Sequence, residues 1–295
     1  MMKLGIFCWF GYEMPLSQRL RLIARSGFEA TSLWLETDVH SAEVAVLADA
    51  PRMARDCGLS LDNGHAPFET CNLLWSDAVA DRQSILNLYR KHLDFCRQQQ
   101  IPRLVLHLSH SDTPPPLNRA GLDTFGELLK HAEDAQVVLA VENIRRPDYS
   151  DAVFERFESP HLGLCYDSSH DFLYGNPPGA VLKRWGHLLT TTHFSDNAGQ
   201  RDDHWLPGDG SIAWDVVRQH FPLRTYNGIC HLETFPKEPS AQSAEAFLQM
   251  AYERATALRS FFSRETEHFP EKSDPLQAET SASGGKPKQV RPFRR

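Results

Sequence analysis

The segment TTHFSDNAGQRDDHWLPGDGSIAW, residues 191–214, gathers His193, Asp196, Asp202, Asp203 and His204 into one Gly- and Pro-containing stretch. Imidazoles and carboxylates are the groups that hold divalent metals and move protons near neutral pH. The segment begins as a strand-like run over 188–194, turns polar where such a strand would end, and resumes a helical pattern near Ile212. Its polar groups therefore belong at the C-terminal mouth of a strand.

Side chains alternate along a strand, so the neighbours of each candidate ligand say which way it faces. In VVLAVEN, Glu142 shares a face with Val138 and Ala140; in LGLCYD, Asp167 shares one with Gly163 and Cys165; in GICHLET, Glu233 shares one with Ile229 and His231. The same parity turns His65 of LSLDNGH, His107 of LVLHL and His193 of LLTTTH inward. Six successive strand-like runs, the third to the eighth, thus each end in one His, Asp or Glu on the inner side. A lone His near a strand end is ordinarily a hydrogen-bonded core residue, and a lone acid ordinarily caps the next helix. Six together do not fit that explanation, because carboxylates crowded into one mouth repel and resist desolvation unless a cation neutralises them. An oxygen-rich set with one imidazole suits a divalent Mn2+, Mg2+ or Co2+ ion and admits Zn2+. His170, three residues beyond Asp167, and His204, two beyond Asp202, are candidates for supporting groups, substrate contacts or ligands of further metals.

The elements that must position these groups are short apolar runs over 3–10, 29–35, 59–65, 103–109, 136–143, 162–167, 188–194 and 228–233, followed by amphipathic stretches such as PLSQRLRLIARSG and SAQSAEAFLQMAYERATALRSFF. Eight such β/α units predict an α/β protein, a single (β/α)8 TIM barrel over residues 1–263. A doubly wound sheet is the rival, but no G-x-G-x-x-G follows the first strand and no phosphate-binding G-x-x-x-x-G-K-[ST] occurs. Residues 264–295 are polar and poor in apolar side chains, which predicts a disordered tail with a basic end, KPKQVRPFRR. The formal charge of -7 makes the body acidic and argues against a nucleic acid partner. No apolar run reaches the ~20 residues that cross a bilayer, and the opening MMKLGIFCWFGYEM reads as a first strand, so a cytoplasmic location is expected. The six cysteines are scattered, without a C-x-x-C pair, as buried or semi-buried free thiols would be. Oligomeric state is left open by the sequence.

Over residues 3–262 the chain resembles the xylose isomerase-like barrels, a family that includes sugar and sugar-phosphate isomerases and epimerases and the endonuclease IV-type AP endonucleases. The resemblance rests on AVEN, YDSSH, HFSDNAGQRDDHWLPGDGSI and HLET. It implies one divalent metal held by Glu142, Asp167, His193 and Glu233, with Glu142 and Glu233 transferring a proton at the carbon beside the carbonyl of a sugar or other hydroxy-ketone, through an enediolate. It further implies substrate contacts from His170 and Arg201, with His65 and His107 also facing the substrate. Asp202 and His204 would anchor the loop or make a secondary metal site. Trp9, Phe68 and Trp205 are either walls for a sugar's C–H face or packing residues. The alternative is a metal-dependent phosphodiesterase, since His65, His107, His170, Asp202 and His204 match the extra ligands of the AP endonucleases. Against it, GIFCWFGYEM lacks the G-x-H-x-S-x-A-G-G-like opening of those nucleases and no basic, aromatic DNA-binding segment occurs. A lyase or dehydratase on the same site is a third reading, and a barrel that only binds a ligand is a fourth.

Overall fold

A computed structural model describes residues 2–35 and 48–263. The expected tail over 264–295 lies outside the described residues. Eight strands, β1 (Leu4–Phe7), β2 (Ala30–Trp34), β3 (Ser60–His65), β4 (Arg103–Leu106), β5 (Val138–Glu142), β6 (Leu162–Asp167), β7 (Leu189–His193) and β8 (Cys230–Leu232), pair in parallel in the order 7-6-5-4-3-2-1-8. A parallel bridge between Phe194 and Leu232 joins β7 to β8 and closes the ring, with the Phe194 amide donating to the His231 carbonyl at 2.9 Å. The described chain is thus a TIM barrel.

Parity explains the two layers of core. Outward side chains such as Leu4, Ile6, Leu104, Leu106, Leu139 and Val141 are fully buried under the helices. Val105, Ala140 and Cys165 face inward and form a small apolar layer inside the barrel. The helices are amphipathic in register with that shell. In α1 (Leu16–Arg25), Leu16, Leu20 and Ile23 are buried on one side, and in α3 (Val79–Gln98), Ile85, Leu86, Tyr89, Leu93 and Cys96 repeat at helical spacing. Between them lies α2 (Ala50–Asp56). Side-chain caps set several starts: Asn118 accepts from the Gly121 amide ahead of α4 (Arg119–Ala135), and Ser243 from the Ala246 amide ahead of α9 (Ala244–Phe262). The remaining described helices are α5 (Pro147–Arg156), α6 (Ser168–Tyr174), α7 (Ala180–Trp185) and α8 (Trp214–His220).

The strands are shorter than the sequence pattern predicts, most visibly 3–10, 103–109 and 228–233. Beyond Phe7, Leu106 and Leu232 the backbone leaves the strands for the loops that line the mouth, although after Phe7 the apolar run continues. One irregularity matters inside the barrel. The register of β2 with β3 shifts between Thr31 and Leu33, and this bulge lets Asp62 face inward although His65, three residues on, does so too.

Candidate active site

Glu142, Asp167 and His193 are the last residues of β5, β6 and β7, and Glu233 follows β8 directly. The first three are almost wholly buried, at 1%, 0% and 0% exposure. One ligand atom from each of Glu142, Asp167, His193 and Glu233 can be chosen so that all lie within 4.8 Å of one another. His193 Nδ1 is 2.7 Å from Glu233 Oε2 and 3.3 Å from Glu142 Oε2, but neither approach has hydrogen-bond geometry, and both ring nitrogens of His193 lack a hydrogen-bond partner, as does Asp167 Oδ2. Asp167 uses its other oxygen to cap α6, accepting from the His170 amide at 2.7 Å. Buried polar atoms without partners are uncommon in folded proteins. Here Asp167 and His193 each bring a ligand atom into the same 4.8 Å cluster as Glu142 and Glu233, an arrangement that a divalent cation satisfies, so the residues present fit a metal.

His65 and His107 stand against the same carboxylate. Their Nε2 atoms lie 3.2 and 3.3 Å from Glu142 Oε2, and His65 Nδ1 is fixed by the Ala66 carbonyl at 2.8 Å. Trp34 stacks on His65 at 4.9 Å and Phe68 on His107 at 5.0 Å. With Glu142 these imidazoles form a second group of metal-ligand type.

The segment 195–212 divides its acids between two tasks. Asp196 accepts from the amides of Gly208 and Ile212 and from the Trp214 indole, and its backbone pairs with Trp205, so it holds the loop together. Asp203 accepts from the Ala198 amide and pairs with Arg201 at 2.6 Å. Asp202 turns into the mouth: Oδ2 is 3.0 Å from His170 Nε2 and 2.8 Å from His204 Nε2, while Oδ1 accepts from Ser169. His204 also meets the Glu233 carbonyl through Nδ1 at 3.1 Å and adopts φ of 52°, a left-handed conformation uncommon outside glycine.

The electrostatics follow from burial and mixed charge. Burial pushes the Glu142 carboxyl up, but His193 and His107 outweigh it and hold the group well below the usual carboxylate range. Glu233 is likewise held at about 2, His193 and His204 overcoming burial. Asp167 goes the other way: burial, helped by Asp202 and Glu142 against the pull of His170, raises it to about 7. His204 rises to about 10 because Asp202, with Glu233 and Asp167, overcomes its burial. In the metal-free protein, protonated imidazoles thus supply the positive charge that the acids demand.

Of the residues singled out in the sequence, nine meet here: Glu142, Asp167, His193, Glu233, His170, His65, His107, Asp202 and His204. Arg201 does not join them; its side chain is 82% exposed and turned to Asp203. The cleft over the cluster measures about 360 Å³ and is lined by Phe68 but by neither Trp9 nor Trp205. Trp34, Arg145 and Tyr174, which also line it, were not singled out. For Trp34 the signal was its place at the end of β2; for the other two no motif marks them.

The model of the xylose isomerase-like TIM barrel family matches residues 20–251. The chain belongs to this family. Among curated members with similar sequence, an uncharacterized protein, y4fM, of Sinorhizobium fredii is 28% identical over 288 residues, covering 84% of this chain and 89% of its own length. Fructoselysine 3-epimerase of Escherichia coli O157:H7 is 22% identical over 269 residues, covering 83% and 96%. Among solved structures, L-ribulose 3-epimerase superposes with a TM-score of 0.71 at 14% identity, covering 97% of this chain and all of that one. D-psicose 3-epimerase of Clostridium cellulolyticum H10 superposes at 0.68 with 16% identity, covering 90% and 99%. At those identities the superpositions speak for the xylose isomerase-like fold alone.

Proposed function

We propose that the protein is a divalent-metal-dependent sugar epimerase or isomerase that moves a proton at the carbon next to the carbonyl of a ketose or similar hydroxy-ketone. The observation that carries this reading is the convergence of Glu142, Asp167, His193 and Glu233 within 4.8 Å, with Asp167 Oδ2 and His193 left unpartnered. The names of the epimerases to which the chain is similar support it. Glu142, Asp167, His193 and Glu233 would hold the metal, and Mn2+, Mg2+ or Co2+ suits the donor set, with Zn2+ admitted. Bound there, a divalent cation polarises a carbonyl and stabilises negative charge developing on its oxygen.

The chain's own residues supply the proton transfer. Glu142 ends β5 and Glu233 follows β8, two strands lying between them in the ring, so each would approach a carbon bound in the mouth from its own side. One takes the proton and the other returns it, which permits inversion. His65, His107 and His170 crowd Glu142 and fix its orientation. Trp34 and Phe68 close the side of the cleft nearest β2 to β4 with aromatic faces against which sugar C–H groups pack. A test is exchange of the α-proton of D-fructose or D-tagatose with deuterated water. Exchange that is lost on chelation and restored by Mn2+ supports the reading, and no exchange from any ketose in metal-loaded protein opposes it.

A second reading, metal-assisted phosphodiester cleavage, is favoured by one observation: His65, His107 and Glu142 form a further group of ligand type sharing Glu142 with the first. Metal-dependent incision of abasic DNA, abolished by Asp202→Ala/His204→Ala, would make it the primary function.

A further inference from the structure

The cleft carries its charge unevenly. Its floor presents Glu142, Glu233 and Asp202, whereas Arg145 is the one Lys or Arg side chain among its described lining residues. Arg145 lies three residues beyond Glu142 and is 46% exposed where Glu142 is 1% exposed, so it stands toward solvent on the same side of the mouth. Its guanidinium lies 5.0 Å over the Tyr174 ring, and Nη2 donates to the Tyr174 hydroxyl at 2.9 Å. A planar cation already settled on a ring face loses little further freedom when it binds another partner, and its remaining N–H groups match the paired oxygens of a carboxylate or phosphate.

The present partner of that guanidinium is Asp112, whose side chain is 76% exposed. An ion pair to so exposed a carboxylate is weakly held, so an incoming anion can replace it. Ser111, with φ of 75°, and His110 lie in the same lining beside Asp112, and the His110 ring leans on Phe68 at 5.4 Å. A hydroxyl and an imidazole thus accompany the guanidinium at the rim, while the acids stay below.

We infer that Arg145, steadied by Tyr174 and accompanied by His110 and Ser111, binds an anionic group, a carboxylate or a phosphate, at the end of the substrate remote from the exchanging carbon, and that Asp112 keeps this position until substrate displaces it. The orientation of that substrate rests on the epimerase reading above; the anion subsite itself does not.

The experiment measures binding and exchange separately. Full-chain protein loaded with Mn2+ is titrated calorimetrically with D-fructose, D-fructose 6-phosphate and D-fructuronate, and α-proton exchange is followed for each. At least tenfold tighter binding of one or both anionic ketoses than of D-fructose is expected, and which of the two is favoured separates phosphate from carboxylate. Arg145→Met should reduce that preference to about one, Arg145→Lys should keep part of it, and Asp112→Asn should strengthen anion binding severalfold by removing the competitor. The rise in Asp112→Asn is the sign that a purely structural ion pair would not give. A preference that survives in Arg145→Met places the anion elsewhere and overturns the inference. Exchange of D-fructose without any anion preference overturns it while leaving the epimerase reading intact; anion preference without exchange does the reverse; absence of binding by all three overturns both.

Discussion

Two polar clusters share the inside of one barrel and differ in how their hydrogen bonds close. Toward the strand N-termini, Asp62 receives Arg103 Nη1 at 2.9 Å on one oxygen and Thr191 Oγ1 and Asn63 Nδ2 on the other. Toward the C-termini, past the apolar layer of Val105, Ala140 and Cys165, Asp167 and His193 keep atoms without partners. The lower carboxylate has partners on both oxygens, whereas Asp167 Oδ2 above has none. A carboxylate bonded on both oxygens serves stability, and one with a free oxygen is open to a ligand, which agrees with the division of barrel ends between stability and chemistry.

The contrast breaks most sharply if its two ends respond alike to substitution. Glu142→Gln should lower α-proton exchange per folded molecule by two to four orders of magnitude, on the scale of a lost general base, and because the imidazoles facing this buried carboxyl lose their anion the melt falls as well. Arg103→Met should differ in exchange: it strands buried Asp62 without its cation, at a cost of about 3–5 kcal/mol in urea unfolding, while exchange per folded molecule persists. Loss of exchange per folded molecule in Arg103→Met together with its persistence in Glu142→Gln would reverse the assignment of the two clusters.

A pH series sharpens it further. Asp167 is raised to about 7 by burial, above its ordinary value of 3.8, so the folded metal-free protein holds this proton more tightly than the unfolded chain. Its contribution to stability is present below about pH 4 and is lost as pH rises through 7. Asp167→Asn, which keeps the capping oxygen, should therefore stabilise chelated protein at pH 8 by up to about 4 kcal/mol and should weaken the gain in melting temperature on adding Mn2+. If the Asp167→Asn variant gained as much from Mn2+ as wild type, Asp167 would not be a ligand.

The smallest effect concerns His231, which sits between the clusters with neither ring nitrogen partnered and is pushed down to about 4 by burial. Above pH 6.5 it is neutral in both states. Below that the unfolded chain accepts a proton that the folded chain refuses, so stability falls from pH 6.5 toward 4 by up to about 3 kcal/mol. His231→Leu should flatten that acid limb in urea titrations at fixed temperature; an unchanged limb would mean that His231 is accommodated as a cation.

Much of the upper cluster was legible in the sequence because period-two alternation is a property of single strands. Glu142, Asp167 and His193 needed only their own neighbours to be turned inward. Asp62 was not legible, because the bulge between β2 and β3 shifts its face and depends on a partner strand. The acids of 195–212 look alike in sequence, yet Asp196 and Asp203 bind loop amides whereas Asp202 reaches His170 and His204; only the folded loop separates them. Arg201 failed to reach the cluster for the same reason, since Asp203 two residues away captures it. Arg145, in the loop after β5, meets Tyr174, at the end of α6, a contact that no local pattern encodes.

The most direct measurement is the metal content of purified, reloaded protein, taken together with α-proton exchange on the same sample. One equivalent of divalent metal per chain is expected, absent from Asp167→Ala, with ketose exchange rising in proportion to occupancy. Two or three equivalents per chain, without ketose exchange but with incision of abasic DNA, would contradict the epimerase reading.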